Sequence, residues 1–212
     1  LLDAQSPSES VAARPESFLP SLATRFLSDG GLPTRRRLTT VFVDIAGSTR
    51  LLEQHSAEAV LALVQRFMHL VTDVALAYCG DVKDFEGDGA LLYFESTTEA
   101  AQAALAIRDT LASGVCGMDC PVTARISLTV GQVVVGLVGT TMRRSIALIG
   151  ESVHVGARIL KHVPPGGIIA SGEFVASLRA EQPALADQYR LRDHAFEIPG
   201  SDAITVSTYV IP

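Results

Sequence analysis

The segment Leu38-Thr-Thr-Val-Phe-Val-Asp44 constrains this chain more than any other: it is apolar or β-branched until it ends on a carboxylate. A run of that length reads as a buried strand. A small-residue turn, Ala46-Gly47-Ser48-Thr49, follows it. A helix is then predicted over about 56–78, with Val60, Val64, Phe67, Val71, Val74 and Tyr78 on one face and Gly80 as its stop. Next comes a hairpin around Glu86-Gly87-Asp88-Gly89, with strands at 82–85 and 90–94, and an alanine-rich helix over 97–112. Strands follow at 123–130 and 132–138, then a loop carrying Arg143 and Arg144 that reads as solvated, a strand at 145–149 and a helix over 151–162. Pro164-Pro165-Gly166-Gly167 breaks that helix, and a short strand, a short helix and a terminal hairpin complete the chain. The order β-α-β-β-α-β predicts an α+β fold with a ferredoxin-like core and a C-terminal extension. The helices are expected on one face of an antiparallel sheet.

Residues 1–34 read as an N-terminal segment and 35–212 as the domain. Residues 1–16 are rich in Ser, Pro, Ala and Glu and are expected to be disordered. Residues 17–28 predict a short amphipathic helix, closed by Asp29-Gly30-Gly31, that packs on its own domain or on a second copy; it is too short and too weakly basic for membrane attachment. Hydrophobic residues make up 48% and charged residues 19%, enough for one substantial core. The formal net charge of −6 argues against a broad grip on nucleic acid but leaves a nucleotide open as a ligand. Cys79, Cys116 and Cys120 form no pair of CxxC motifs and read as reduced thiols in a cytoplasmic protein. The longest apolar stretches are interrupted by charge or Gly, so neither a membrane span nor a signal peptide is expected.

Asp44 and Asp88 each stand where a strand meets a tight turn. Taken singly, either could be a turn-forming carboxylate. If the hairpin lies beside the first strand, the two become neighbours and can hold two Mg²⁺ or Mn²⁺ ions on hard oxygen ligands. The N–H groups of Ala46, Gly47, Ser48 and Thr49 can then cap the β- and γ-phosphate oxygens of a nucleoside triphosphate. His55, His69, His162 and His194 have no metal spacing, and Tyr93 and Phe94 read as strand core. A P-loop NTPase is excluded, since no GxxxxGK[ST] occurs.

The chain resembles the class III nucleotide cyclases, the adenylyl/guanylyl cyclase catalytic domain, over roughly 36–178. The resemblance rests on Thr-Val-Phe-Val-Asp44-Ile-Ala-Gly-Ser-Thr, on Gly87-Asp88-Gly89 with Phe94 downstream, on Arg125-Ile-Ser-Leu-Thr-Val-Gly131-Gln-Val-Val-Val-Gly136-Leu-Val-Gly139, and on Ile149-Gly150-Glu-Ser-Val-His154-Val-Gly-Ala-Arg158. Diguanylate cyclases share the fold, but Glu-Gly-Asp-Gly-Ala is not their Gly-Gly-Asp/Glu-Glu-Phe signature. The resemblance implies that Asp44 and Asp88, with the Ile45 carbonyl, ligate the two metals. It also implies that Arg158, which on bare sequence is a surface cation of a helix, stabilises charge on the α-phosphate as the 3′-hydroxyl attacks. It further implies a homodimer, with metal ligands from one chain and the arginine and base-reading residues from the other.

Three positions depart from the adenylyl cyclase pattern. Asp84 stands in place of the adenine-reading Lys; Lys83 is adjacent, but strand alternation sends it to the opposite face. Ala147 replaces the base-contacting Asp or Thr, and His154 replaces the ribose-orienting Asn; His154 either bonds the nucleotide or packs on the partner. Phe196-Glu197-Ile198-Pro199-Gly200 stands where a phosphate-binding Lys often occurs. These replacements look like the bacterial anti-phage pyrimidine cyclases (Pycsar), which make cyclic UMP or cyclic CMP for a separate effector. The expectation is therefore a UTP or CTP cyclase with Asp84 as acceptor, ahead of an adenylate cyclase with unusual base recognition and of a catalytically silent nucleotide-binding dimer.

Overall fold

The apolar run forms the centre of the sheet. In the computed structural model, which describes residues 21–29, 31–114, 122–140, 142–192, 196–198 and 204–211, it lies within β1 (Thr34–Ile45). β1 pairs antiparallel with β3 (Gly89–Phe94) on one side and β4 (Ala124–Gly139) on the other. β2 (Asp81–Glu86) pairs with β3, and β5 (Arg144–Ile149) with β4. The order β2-β3-β1-β4 is that of a ferredoxin-like core, as expected, and the sheet continues through β6 (Ile168–Ser171), β10 (Thr208–Ile211) and β7 (Arg190–Leu191). β8 (Phe196–Ile198) and β9 (Ile204–Val206) form the terminal hairpin. Residues 1–20, Cys116, Cys120, His194, Pro199 and Gly200 carry sequence expectations that lie outside the described residues.

One sheet face presents Val41, Val43, Leu92, Phe94, Ile126 and Leu128 to α3 (Ala57–Ala77), α4 (Thr97–Ala112) and α6 (Gly172–Glu181). α7 (Pro183–Ala186) adds Leu185 and Ala186 to the same core. The other face is covered as well, contrary to the one-sided expectation. α1 (Ser21–Ser28) buries Leu22 and Phe26 against it, and α5 (Glu151–Leu160) adds Val153. Small residues let α5 come close: a Cβ on Gly156 would stand 3.0 Å from the Phe42 ring, and one on Gly131 would stand 2.8 Å from Ser152. That contact also explains why Gly131 does not divide β4, which runs unbroken where two strands were expected.

α3 matches its expected span, but its buried stripe is Leu63, Phe67, Val71 and Ala75, with Val60, Val64, Val74 and Tyr78 at its margin. Among the described residues α3 is the one helix long and apolar enough to cross a membrane. Its spacing accounts for that composition, since the apolar stripe faces the sheet while Gln65, Arg66, His69 and Asp73 face outward. The helix ends in a Schellman arrangement, with Cys79 at φ 57 and Gly80 N–H donating to the Ala75 carbonyl at 2.8 Å. Gly80 thus does not supply the left-handed residue. Its place is fixed by Phe94, whose ring carbon would lie 2.1 Å from any Cβ there.

Glu181, at the end of α6, caps the start of α4: it accepts from the Thr98 N–H and hydroxyl, each at 3.0 Å, and from the Ser96 hydroxyl at 3.1 Å. Burial pushes its pKa up, but the bonds from Thr97, Thr98 and Ser96 outweigh this and hold it below 4.5. A lowered folded pKa contributes stability above the unfolded value, and that stability disappears as pH falls through the folded value. Glu181→Gln is expected to cost about 1 kcal/mol at neutral pH after solvent screening, and nearly nothing near pH ~3. Urea unfolding at both pH values checks this; an equal loss at both would contradict it.

Candidate active site

The hairpin turn joins β2 and β3 through Gly87 and Asp88, and Gly87 takes φ 63 as such a tight turn requires. The turn docks on the end of β1: Ile45 N–H donates to the Asp88 carbonyl at 3.3 Å, and Asp44 stands opposite Gly89. A Cβ on Gly89 would lie 3.0 Å from the Val43 carbonyl oxygen and 3.2 Å from Asp44 Cβ, so glycine sets this approach. Asp44 and Asp88 consequently line one cavity of about 160 Å³, with Phe42, Val43, Glu86 and Leu160 around them.

On the opposite side of β1, Asp44 faces Arg125 of β4. The guanidinium grips the carboxylate at both oxygens, Nε to Oδ1 at 2.9 Å and Nη2 to Oδ2 at 2.5 Å. Burial raises the Asp44 pKa, the bond to Arg125 and its charge oppose that rise, and the nearby Asp88 charge adds to it, leaving the pKa above 3.8. The two carboxylates therefore repel each other in a partly desolvated place, which is the electrostatic condition a divalent cation relieves.

The donor set fits Mg²⁺ or Mn²⁺. No group of three or more His, Cys, Asp or Glu side chains among the described residues could hold a metal by itself. Mg²⁺ is commonly held by one or two carboxylates with substrate phosphates completing the shell, and Asp44, Asp88 and a neighbouring main-chain carbonyl such as that of Ile45 suit that arrangement. At the turn expected to receive phosphates, Ala46 N–H does not fit that expectation, because the Thr123 carbonyl takes it at 2.8 Å. Gly47, at φ 74, caps α2 (Ser48–Gln54), a helix that stands where the sequence predicts a turn. The N–H groups of Gly47, Ser48 and Thr49 stand at its open first turn, where helix geometry supplies no acceptor.

A second cavity, of about 310 Å³, shares Phe42, Glu86 and Leu91 with the first and adds Lys83, Ala147 and His154. Lys83 reaches it because β2 carries a bulge between Val82 and Asp84, which cancels the alternation that would have turned it away. Its ammonium pairs with Asp84 Oδ2 at 3.1 Å, and its side chain is 17% exposed against 47% for Asp84. Asp84 Oδ1 accepts from Phe85 N–H at 3.0 Å, and Asp84 is not among the residues lining the cavity. The structure thus joins Lys83, Ala147 and His154 in one cavity and Asp44 and Asp88 in the next. Arg158, one turn beyond His154 on α5, is exposed and lines neither.

Sequence reasoning gave no role to Glu86, Lys83 or Arg125. Arg125 was visible only through strand register, 81 residues from Asp44.

Residues 33–211 match the family described as the adenylate and guanylate cyclase catalytic domain. Among curated proteins, the uncharacterized protein Rv1318c of Mycobacterium tuberculosis is 33% identical over 171 residues, covering 75% of this chain and 31% of that protein. The uncharacterized protein Mb1353c of Mycobacterium bovis is 32% identical over 172 residues. The chain thus spans about a third of the length of these curated relatives, 31% of each. The fold is similar to the adenylyl cyclase CyaB from P. aeruginosa, with TM-score 0.71, 24% identity, and 84% and 95% of the two chains covered. It is also similar to the guanylate cyclase domain of RhGC from Catenaria anguillulae in complex with GTP, with TM-score 0.70, 18% identity, and 84% and 98% covered.

Replacing either carboxylate by its amide keeps shape but removes the charge a cation needs. Asp44→Asn and Asp88→Asn are each expected to weaken Mn²⁺ binding by roughly tenfold or more with the circular-dichroism spectrum unchanged. Mn²⁺ affinity equal to that of the wild type in both variants would overturn the metal assignment.

Proposed function

The chain belongs to the adenylate and guanylate cyclase catalytic domain family, and from that membership we propose that it converts ATP to 3′,5′-cyclic AMP and pyrophosphate as a homodimer. The observation that carries the choice of base is the β2 bulge, which brings Lys83 to the lining of the cavity of Ala147 and His154. Lys83 supplies a donor suited to a ring-nitrogen acceptor on the adenine edge. Ala147 leaves room for the base and His154 bonds the ribose.

The site has two halves, each drawn from a different protomer. Asp44 and Asp88, with the Ile45 carbonyl, hold two Mg²⁺ or Mn²⁺ ions, which when bound neutralise phosphate charge and lower the pKa of the attacking 3′-hydroxyl. The N–H groups of Gly47, Ser48 and Thr49 receive β- and γ-phosphate oxygens. Arg158 of the second protomer meets the charge that builds on the α-phosphate as pyrophosphate departs. Residues 35–212 carry this activity in the cytoplasm, residues 1–34 precede it, and a separate effector reads the product.

A second reading keeps the pyrimidine expectation, with UTP or CTP as substrate and cyclic UMP or cyclic CMP as an anti-phage signal. Asp84 favours it, because its carboxylate can accept from uracil N3–H or the cytosine amino group. Asp44→Ala and Arg158→Ala should each be inactive alone, while their mixture should regain roughly a quarter of wild-type turnover, since half the dimers then hold one intact site. No recovery would contradict the shared site. Lys83→Ala should lower kcat/KM for ATP by roughly ten- to a hundredfold, the value of one good base contact. An unchanged value for ATP, with UTP or CTP the better substrate, would replace the first reading by the second.

A further inference from the structure

We infer that Arg125 is the resident counter-ion of the metal-binding carboxylate: its guanidinium clamps both oxygens of Asp44, and a divalent ion binds there in competition with it. This inference rests on the metal reading of Asp44 and Asp88 given above. The clamp is set by strand register, because Arg125 of β4 stands directly opposite Asp44 of β1. Nε and Nη2 donate to Oδ1 and Oδ2 at 2.9 and 2.5 Å, so each oxygen gives one lone pair to the guanidinium and keeps one for an incoming ion. The neighbours on β4, Ala124 and Ile126, are buried in the core, which holds the Arg125 backbone rigidly. The pair is itself partly shielded, with 31% of the Arg125 side chain and 16% of the Asp44 side chain exposed.

A bidentate arginine–carboxylate pair is both strong and directional. Here it does two opposing things. It holds the Asp44 side chain in one orientation beside Asp88, so the metal ligand is placed before any ion arrives. It also competes with that ion, because the guanidinium draws on the same carboxylate charge and holds the side chain in its own direction. Losing the pair on ion binding costs little net charge, since one cation replaces another. The cost lies in the two directional bonds, and a lysine cannot reproduce them with its single point charge. Arg125 is therefore a positioning residue that weakens the affinity of the free protein for metal alone. Binding then favours the metal that arrives together with a triphosphate, whose oxygens complete its coordination.

The test uses Mn²⁺ alone as probe, titrated into the full chain without nucleotide and followed by the paramagnetic resonance signal of the free ion. Arg125→Gln is expected to bind Mn²⁺ roughly ten- to a hundredfold more tightly than the wild type, and Arg125→Lys to fall between the two. A glutamine variant that binds no more tightly than the wild type would overturn the inference, as would a lysine variant indistinguishable from it, which would reduce the effect to charge alone. A second readout needs no substitution: the Arg125 Nε–H resonance, protected from solvent by Asp44, should shift and exchange faster when Mg²⁺ is added. A resonance unmoved by saturating Mg²⁺ would overturn the inference by itself. The metal site is tested separately, since Mn²⁺ binding that survives Asp44→Asn would remove the site and not the clamp.

Discussion

Much of this structure depends on the antiparallel register of β1 between its two neighbours. That register sets Asp44 opposite Gly89 on one side and Arg125 on the other. A slip of one residue would turn Val43 and Ile45 out of the core and carry Asp44 into it. The apolar burial that stabilises the sheet therefore also aims the carboxylate. Gly89 has no side chain because the hairpin must close on β1, and Asp88 reaches the same cavity through that approach.

The site holds more negative charge than its surroundings readily support. Burial and Asp88 both work against ionised Asp44, while Arg125 favours it. Such tension is common where a protein keeps groups for a ligand and not for its own stability. Away from the groove, carboxylates are used differently: Glu181 binds the first turn of α4 and steadies the fold.

The fold was largely legible because its periods are clean. The buried run of β1, the spacing along α3 and the Gly87-Asp88 turn each determine a local structure, and their order determines the topology. Three things were hidden for physical reasons. The α2 helix is short and fully buries none of its residues, with only Leu51 packed against the core, so it has no periodic signature. Gly80 reads as a helix stop, Gly131 as a gap between two strands and Gly156 as nothing in particular, yet each stands at a close contact, with Phe94, Ser152 and Phe42 respectively. The β2 bulge turns Lys83 toward the cavity, and strand alternation, the rule that was applied, holds only where the ladder is regular. The carboxylates and the α5 residues were readable as motifs, whereas Arg125 depends on pairing between distant strands.

A cyclase must close a ribose hydroxyl onto an α-phosphate, and incubating the purified chain with Mn²⁺ and each of ATP, GTP, CTP and UTP, with the products identified by mass, reads that step itself. The expected result is a 3′,5′-cyclic monophosphate with equimolar pyrophosphate, and cyclic AMP as the most abundant product. No cyclic nucleotide from any of the four would contradict it.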